Sequence, residues 1–178
     1  RYRDDDAMHR PTRRMMDLLF ERCLASVEAG AGREYVTGNN DADGPYFLHW
    51  VKLRFPDRAE HIQAKLEAGG GNASGVNVAN IDNLGNVHPD THWWHYDLGN
   101  LRERPFSEIW PDTSDPIMAG LKAEPRSIGG RCGACRHFAI CNGNTRIRAL
   151  RLYDDPWAED PACYLNGAEI GVSAEAAE

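Results

Sequence analysis

Residues 131–141 read RCGACRHFAIC, which brings Cys132, Cys135 and Cys141 within ten positions, and Cys163 follows Cys141 after twenty-one intervening residues. Thiolates held this close repel one another unless a cation lies between them. Four soft anionic donors suit tetrahedral zinc or an iron-sulfur cluster, and spacing alone does not choose between the two. The fifth cysteine, Cys23, stands far upstream. An odd count without a secretion signal argues against a disulfide scaffold, so clustered thiols in a reducing compartment point to bound metal.

Working outward, residues 122–151 carry Lys122, Arg126, Arg131, Arg136, Arg146, Arg148 and Arg151 against one acid, Glu124, in a chain whose net charge is -7. Cations beside an anionic cluster favour its reduced form. The same strip fits a ligand rich in carboxylates, with Arg146 and Arg148 as candidates, because the guanidinium fork matches a carboxylate. The alternative is a solvated helix face, RIRALR. The global acidity excludes a phosphate-binding nucleic-acid protein. No run approaches the roughly 18 apolar residues of a membrane span, and the charged opening, RYRDDD, lacks the apolar core of a secretion signal. The expectation is a cytoplasmic protein with neither membrane nor nucleic-acid partners.

Further upstream the pattern changes period. Residues 76–89 contain Val76, Val78 and Ile81, a turn at Asn83-Leu84-Gly85-Asn86, and Val87-His88-Pro89, the signature of a β-hairpin. Beyond it, His88, His92, Trp93, Trp94, His95 and Tyr96 offer aromatic surface with groups able to ligate iron or move a proton, although tryptophan that simply packs the interior fits equally. A short helix is expected over residues 105–110. The run GGGNASG, residues 69–75, reads as a flexible joint and domain boundary.

Before that joint, Met15, Leu19, Cys23 and Val27 recur every four positions with Met16, Phe20 and Leu24 alongside, predicting an amphipathic helix over residues 11–30. Cys23 lies on its apolar face and reads as a buried hydrophobe, outside the site. Residues 34–37, EYVT, predict a short buried strand; a polar loop and a helix over residues 45–55 follow. In α/β barrels such a loop opens on the ligand face, making Asn39, Asn40 and Asp41 candidates for cofactor binding, with Asp43 beside them; the alternative is that they only cap the helix. Pro56 ends that helix, and Asp57 with Glu60 resembles a capping box for another running to Leu66.

The hairpin with Gly85-Asn86-Val87-His88-Pro89, the stretch from Gly99-Asn100-Leu101-Arg102-Glu103 into Phe106-Ser107-Glu108-Ile109-Trp110, and the spacing of Cys132, Cys135, Cys141 and Cys163 together resemble the C-terminal SPASM or Twitch domain of radical S-adenosylmethionine (SAM) enzymes. The segments VTGNNDADGPYFLHW and NLGNVHPDTHWW are most similar to the NirJ proteins of haem d1 biosynthesis. The resemblance runs from Asp4 to Leu165. It implies an α/β fold: residues 1–68 as the C-terminal end of a partial (β/α) barrel, residues 69–168 as a SPASM/Twitch-like domain of hairpin, helices and cysteine-rich loop, and residues 169–178 as a disordered tail.

The full SPASM pattern has seven cysteines for two auxiliary clusters. Here Asp90 occupies the position five after Gly85, Thr145 stands where the x3 cysteine belongs, and residues 69–75 hold none. The resemblance therefore implies one auxiliary 4Fe-4S cluster on Cys132, Cys135, Cys141 and Cys163. The Cys-x3-Cys-x2-Cys triplet that binds the SAM-cleaving cluster is not among the five cysteines. Together with the start at Arg1, this suggests the C-terminal half of a longer enzyme, inactive alone. The resemblance implies a second 4Fe-4S cluster with SAM upstream, a 5'-deoxyadenosyl radical that removes hydrogen from an unreactive carbon, and the conversion of two propionate side chains of didecarboxysirohaem to oxo groups. An electron donor protein is the implied partner. His88, His92, His95, Arg146 and Arg148 become candidates for holding the iron tetrapyrrole. The auxiliary cluster would accept an electron or anchor the substrate. A sibling enzyme acting on another tetrapyrrole or on a peptide, and a non-catalytic zinc module, remain the alternatives.

Overall fold

Helix formation dominates wherever the apolar period is 3.6. The structure is a computed structural model that describes residues 9–38 and 40–172. Helix α1 (His9–Glu28) buries Met16 and Phe20, one turn apart, against α2 (Asp43–Arg54), whose Tyr46, Leu48 and Val51 face inward. The buried stripe is thus offset from the predicted one: Met15 and Val27 are exposed, while Phe20 meets Tyr46, Phe47 and Trp50 at centroid distances of 6.0, 5.1 and 5.7 Å. A 3-10 turn (Pro56–Arg58) leads into α3 (Ala59–Gly69). Its expected capping box does not form, because the N-cap position falls on Arg58 and no side chain caps it.

The buried strand expected at residues 34–37 is absent. Those residues are irregular, and Val36 is 84% exposed. A strand of that kind needs a hydrogen-bonding neighbour, and the strands among the described residues all belong to another sheet. That sheet is the predicted hairpin extended by one strand: β1 (Asn80–Ile81), β2 (Asn86–His88) and β3 (Gly99–Asn100), antiparallel in the order β1-β2-β3, with Asn80 opposite His88 and Val87 opposite Gly99. The architecture is mixed α/β. No helix among the described residues is long and apolar enough to cross a membrane.

After β3 come α4 (Phe106–Ile109), inside the predicted span, and α5 (Pro116–Lys122), whose N-cap Asp115 accepts the N–H groups of Ile117 and Met118, both at 2.9 Å. Next are α6 (Gly130–Gly133), α7 (Phe138–Cys141), α8 (Arg146–Tyr153) and α9 (Gly167–Ile170). One core cluster joins Met16, Phe20 and Tyr46 to Tyr164, Leu165, Ile170 and Val172. A second gathers Ile117, Met118, Leu121 and Ile147 around Trp93. Trp93 and Leu48 are wholly buried and stabilise the fold by roughly 2 kcal/mol each. The expected tail does not hold for residues 169–172, where Ile170 and Val172 are core residues; the rest of it, residues 173–178, lies outside the described residues.

The expected flexible joint is a packed seam. Asn72 donates its N–H to the Cys141 carbonyl (3.3 Å), Arg126 donates to the Asn72 side-chain oxygen and to the Ser74 carbonyl (both 2.9 Å), and Ser74 is buried. Gly71 adopts φ +64°, and a Cβ there would stand 2.4 Å from the Cys141 carbonyl carbon. The glycines permit close backbone approach, not motion. Gly71→Ala is expected to destabilise the protein by about 3 kcal/mol through clash and strain, read as a lowered midpoint in urea denaturation.

Candidate metal centre

Cys132 lies in α6, Cys135 in the turn after it, Cys141 at the end of α7, and Cys163 on the segment returning to α9. All four line one cavity, closed on its other sides by Ala42, Pro45, Leu165 and Ile170. Cys23 instead lines a separate apolar groove with Phe20, Trp50 and Phe55. Each of the four sulfurs also receives a backbone N–H: from Asp160 to Cys132 (3.3 Å), from His137 to Cys135 (3.4 Å), from Gly143 to Cys141 and from Leu165 to Cys163. Arg131 adds a guanidinium 3.9 Å from the Cys163 sulfur. This donor set fits a buried thiolate-ligated cationic group: four soft ligands, each with a dipole turned toward its developing charge. Among the described residues no three His, Cys, Asp or Glu side chains converge on a single-ion site.

Burial pushes the Cys141 thiol up to about 12, the neighbouring thiols adding to the shift, and the Cys163 thiol up to about 11; Cys132 and Cys135 are raised as well, also mainly by burial. Without a cation the thiols hold their protons.

The cavity is built by side chains that carry no thiol. Asn142, Gly143 and Asn144 all take positive φ and reverse the chain immediately after Cys141. At Gly143 a Cβ would meet Ile128 at 2.0 Å. Asn144 is 2% exposed: its amide donates to Asn40 Oδ1 (2.7 Å) and Asp160 Oδ2 (2.8 Å), and its oxygen accepts the N–H groups of Asp41 (3.1 Å) and Thr145 (2.9 Å). Asp160 also accepts Arg148 Nε at 3.2 Å. Neither Asn144 nor Asp160 was singled out by the sequence reading. The signal was the Asn-Gly-Asn tract after Cys141, since asparagine tolerates the left-handed region.

The other predicted residues fare unevenly. Asn40 is tied into this lattice and also caps Ala42 N–H (3.2 Å); Asn39 lies outside the described residues. Asp41 lines a second cavity with Asn72, Ser74, Asp90, His92 and Thr145. Asp90 and Thr145, two of the three places where the expected SPASM pattern would carry a cysteine, both line this pocket. His88 does not face a ligand surface: it is 1% exposed, with Nδ1 2.9 Å from the Tyr96 carbonyl oxygen, and belongs to the hairpin interior. His95 stacks on Trp93 at 6.1 Å, while His92 and Trp94 are exposed.

Arg146 is a clear correction. It is 0% exposed and donates to the carbonyls of Gly143, Asn144 (3.3 Å), Pro156 (3.3 Å) and Ala158 (2.6 Å), leaving no fork for a substrate carboxylate. Arg126 is spent in the same way, and burial holds it down at about 10. RIRALR is therefore no solvated face. Arg148, paired with Asp160, stays half-buried.

No family model and no solved structure matches the chain. Among curated proteins it is 57% identical to a pre-heme d1 synthase of Dinoroseobacter shibae over 175 residues, 97% of this chain and 43% of that protein. The resemblance to the NirJ proteins of haem d1 biosynthesis is borne out. The chain is also 42% identical to an Fe-coproporphyrin III synthase of Methanosarcina barkeri over 171 residues, 94% of this chain and 43% of that protein. An AdoMet-dependent heme synthase of Nitratidesulfovibrio vulgaris is 33% identical over 89 residues, 50% of this chain and 23% of its own length. The chain thus spans less than half the length of the NirJ-like relatives it matches. What the names of these relatives have in common is the synthesis of haems or iron porphyrins, and the third is AdoMet-dependent.

Two outcomes follow from the site. Asn144→Ala removes four hydrogen bonds and places alanine at φ +61°, so a loss of about 3 kcal/mol is expected in chemical denaturation. The metal-free protein should keep its stability below the ordinary thiol value of 9.0 and lose it between about pH 9 and 12, because the folded thiols bind protons that the unfolded chain releases; thermal melts across that range measure this.

Proposed function

We propose that this chain forms the auxiliary-cluster part of a radical SAM enzyme of haem d1 biosynthesis, with one 4Fe-4S cluster held by Cys132, Cys135, Cys141 and Cys163. The observation that carries the reading is that these four cysteines, drawn from three separate turns, line one cavity and each receive a backbone N–H. Thiols distributed around a wall suit the separated corners of an iron-sulfur cube better than one zinc ion, whose four ligands must meet at a point. The reading extends to the domain plan: residues 9–68 as the end of a partial barrel and residues 69–168 as the SPASM/Twitch-like unit, packed together at the seam around Gly71.

When bound, the cluster would supply a one-electron acceptor for the radical left on the substrate. The chain's residues set the conditions for that. Ala42, Pro45, Leu165 and Ile170 keep water away; the four N–H groups and Arg131 offset sulfur charge and favour the reduced state. Asn144 and Asp160 fix the loop on which two of the sulfurs ride. The proposed reaction of the whole enzyme converts two propionates of didecarboxysirohaem to oxo groups. SAM cleavage is not assigned to this chain's five cysteines, none of which form the Cys-x3-Cys-x2-Cys triplet. For the flat substrate the exposed Trp94 and His92, the neighbouring His95, and Arg148 are the remaining candidates. A second reading, a sibling enzyme whose product is an iron porphyrin, is favoured by the likeness to the Fe-coproporphyrin III synthase.

Anaerobic reconstitution with iron and sulfide tests the proposal. A brown protein with about four irons and four sulfides per chain is expected, whereas colourless protein carrying one zinc would overturn it. Replacing any of Cys132, Cys135, Cys141 or Cys163 by Ala should abolish the absorption near 400 nm, and Cys23→Ala should retain it, on the order of full iron content. Loss of iron in Cys23→Ala would refute the ligand set.

A further inference from the structure

The cavity that Asp41 lines has a volume of about 170 Å³ and is walled by four segments distant in sequence. Asp41 comes from the loop before α2, Asn72 and Ser74 from the seam after α3, Asp90 and His92 from the chain leaving β2, and Thr145 from the N-cap of α8. Two of these side chains are carboxylates. Asp90 is 5% exposed and accepts the Ser74 hydroxyl and the His92 N–H (2.6 Å), while the Asn72 side chain is hydrogen-bonded to the Asp41 carboxylate. Among the described residues neither forms an ion pair. Arg148 and Arg126 act on Asp41 only through space, and burial raises its carboxyl above the usual range. Buried carboxylates are ordinarily paired or bound to metal.

Thr145 is an independent sign. At an N-cap, a threonine hydroxyl normally accepts an N–H of the first helical turn, yet no such bond forms here. The residue is 6% exposed, and its Oγ1 is buried without a hydrogen-bond partner among the described residues. A hydroxyl withheld both from its helix and from solvent, in the wall of a cavity, is left to what the cavity holds. The wall also selects the ligand. Among the described residues it contains no cysteine, which disfavours soft metals, and no phenylalanine, tyrosine or tryptophan, the surfaces that organic cations prefer. Carboxylate, hydroxyl and amide oxygens suit a hard cation, and two carboxylates match a double charge. No three acidic, histidine or cysteine side chains converge on a point, so such an ion must keep most of its water, and the cavity has room for roughly five water molecules.

We infer that this cavity binds one hydrated divalent cation of the magnesium class, with Asp41 and Asp90 as its charged partners and the Thr145 hydroxyl bonded to its water shell. The inference does not depend on the iron-sulfur cluster. Bound there, the ion ties the loop before α2 to the hairpin and to the start of α8. Thr145 directly follows Asn144, so the ion also clamps the lattice that shapes the thiol cavity.

The test titrates manganese(II) alone into the chelator-treated chain under anaerobic conditions, follows the free ion by electron paramagnetic resonance, and then adds magnesium(II) as competitor. The expected result is one saturable site per chain with Kd on the order of 0.1 mM, displaced by magnesium, with bound-water protons in the pulsed spectrum. Asp90→Asn and Asp41→Asn keep the shape of each side chain and should each weaken binding about tenfold or more, while the exposed Glu108→Gln leaves it unchanged. Thr145→Val gives a second reading by thermal melts. Without metal it should melt at or above the temperature of the unaltered chain, because an unpartnered hydroxyl is gone, and the rise in Tm produced by about 10 mM magnesium should shrink. That pair of opposite effects decides the matter if the Asn variants do not fold. Absence of a saturable site, equal binding in both Asn variants, or a full magnesium response in Thr145→Val would overturn the inference. Binding lost in Cys132→Ala but kept in Asp90→Asn would move the ion to the thiols and reject this site, leaving the cluster proposal untouched.

Discussion

Four thiols can share one buried group only if the segments that carry them are held against their own repulsion and against the tendency of each loop to open. The Asn144 side chain does this at the centre. Its two donors and two acceptor bonds connect the entrance of α2, the turn after Cys141 and the segment that leads to Cys163. A buried amide with every valence met is stabilising, whereas the same amide with one partner missing costs roughly 1–3 kcal/mol. The site therefore tolerates little change in its surroundings, even where those surroundings are far from any sulfur in sequence.

The arginines show a related economy. A tight loop turns carbonyl oxygens inward, and each needs a donor. Arg146 and Arg126 meet that need for eight carbonyl or side-chain oxygens between them. The positive strip read from the sequence is thus partly internal scaffolding at Arg126 and Arg146, while Arg136 and Arg151 are exposed.

How much of this was legible beforehand depended on whether the signal was local. The helical period of α1 and the turn at Asn83–Asn86 are local, and each appears where it is expected, although the buried stripe of α1 is offset to Met16 and Phe20. The strand at residues 34–37 was misread because β-branched composition says nothing about whether a neighbouring strand exists. The glycine run was read as loose because Gly permits both motion and close approach, and only the Cys141 carbonyl across from Gly71 decides between them. His88 and Arg146 were chosen for their chemistry. Their burial is a tertiary property that no window of sequence reveals. No local window reveals Asn144 and Asp160, because Asn144 bonds to Asn40, 104 residues before it, and to Asp160, 16 residues after it.

The seam around Asn72 has a practical consequence for anyone building chimeras between this chain and its relatives. Asn72 bridges the Cys141 carbonyl to the Arg126 guanidinium, and Asn142 donates back to the Asn72 carbonyl at 3.2 Å. A transplanted hairpin would have to travel with all three partners. Grafting at the glycines, where the chain looks most forgiving, would cut through one of the tightest joins in the molecule.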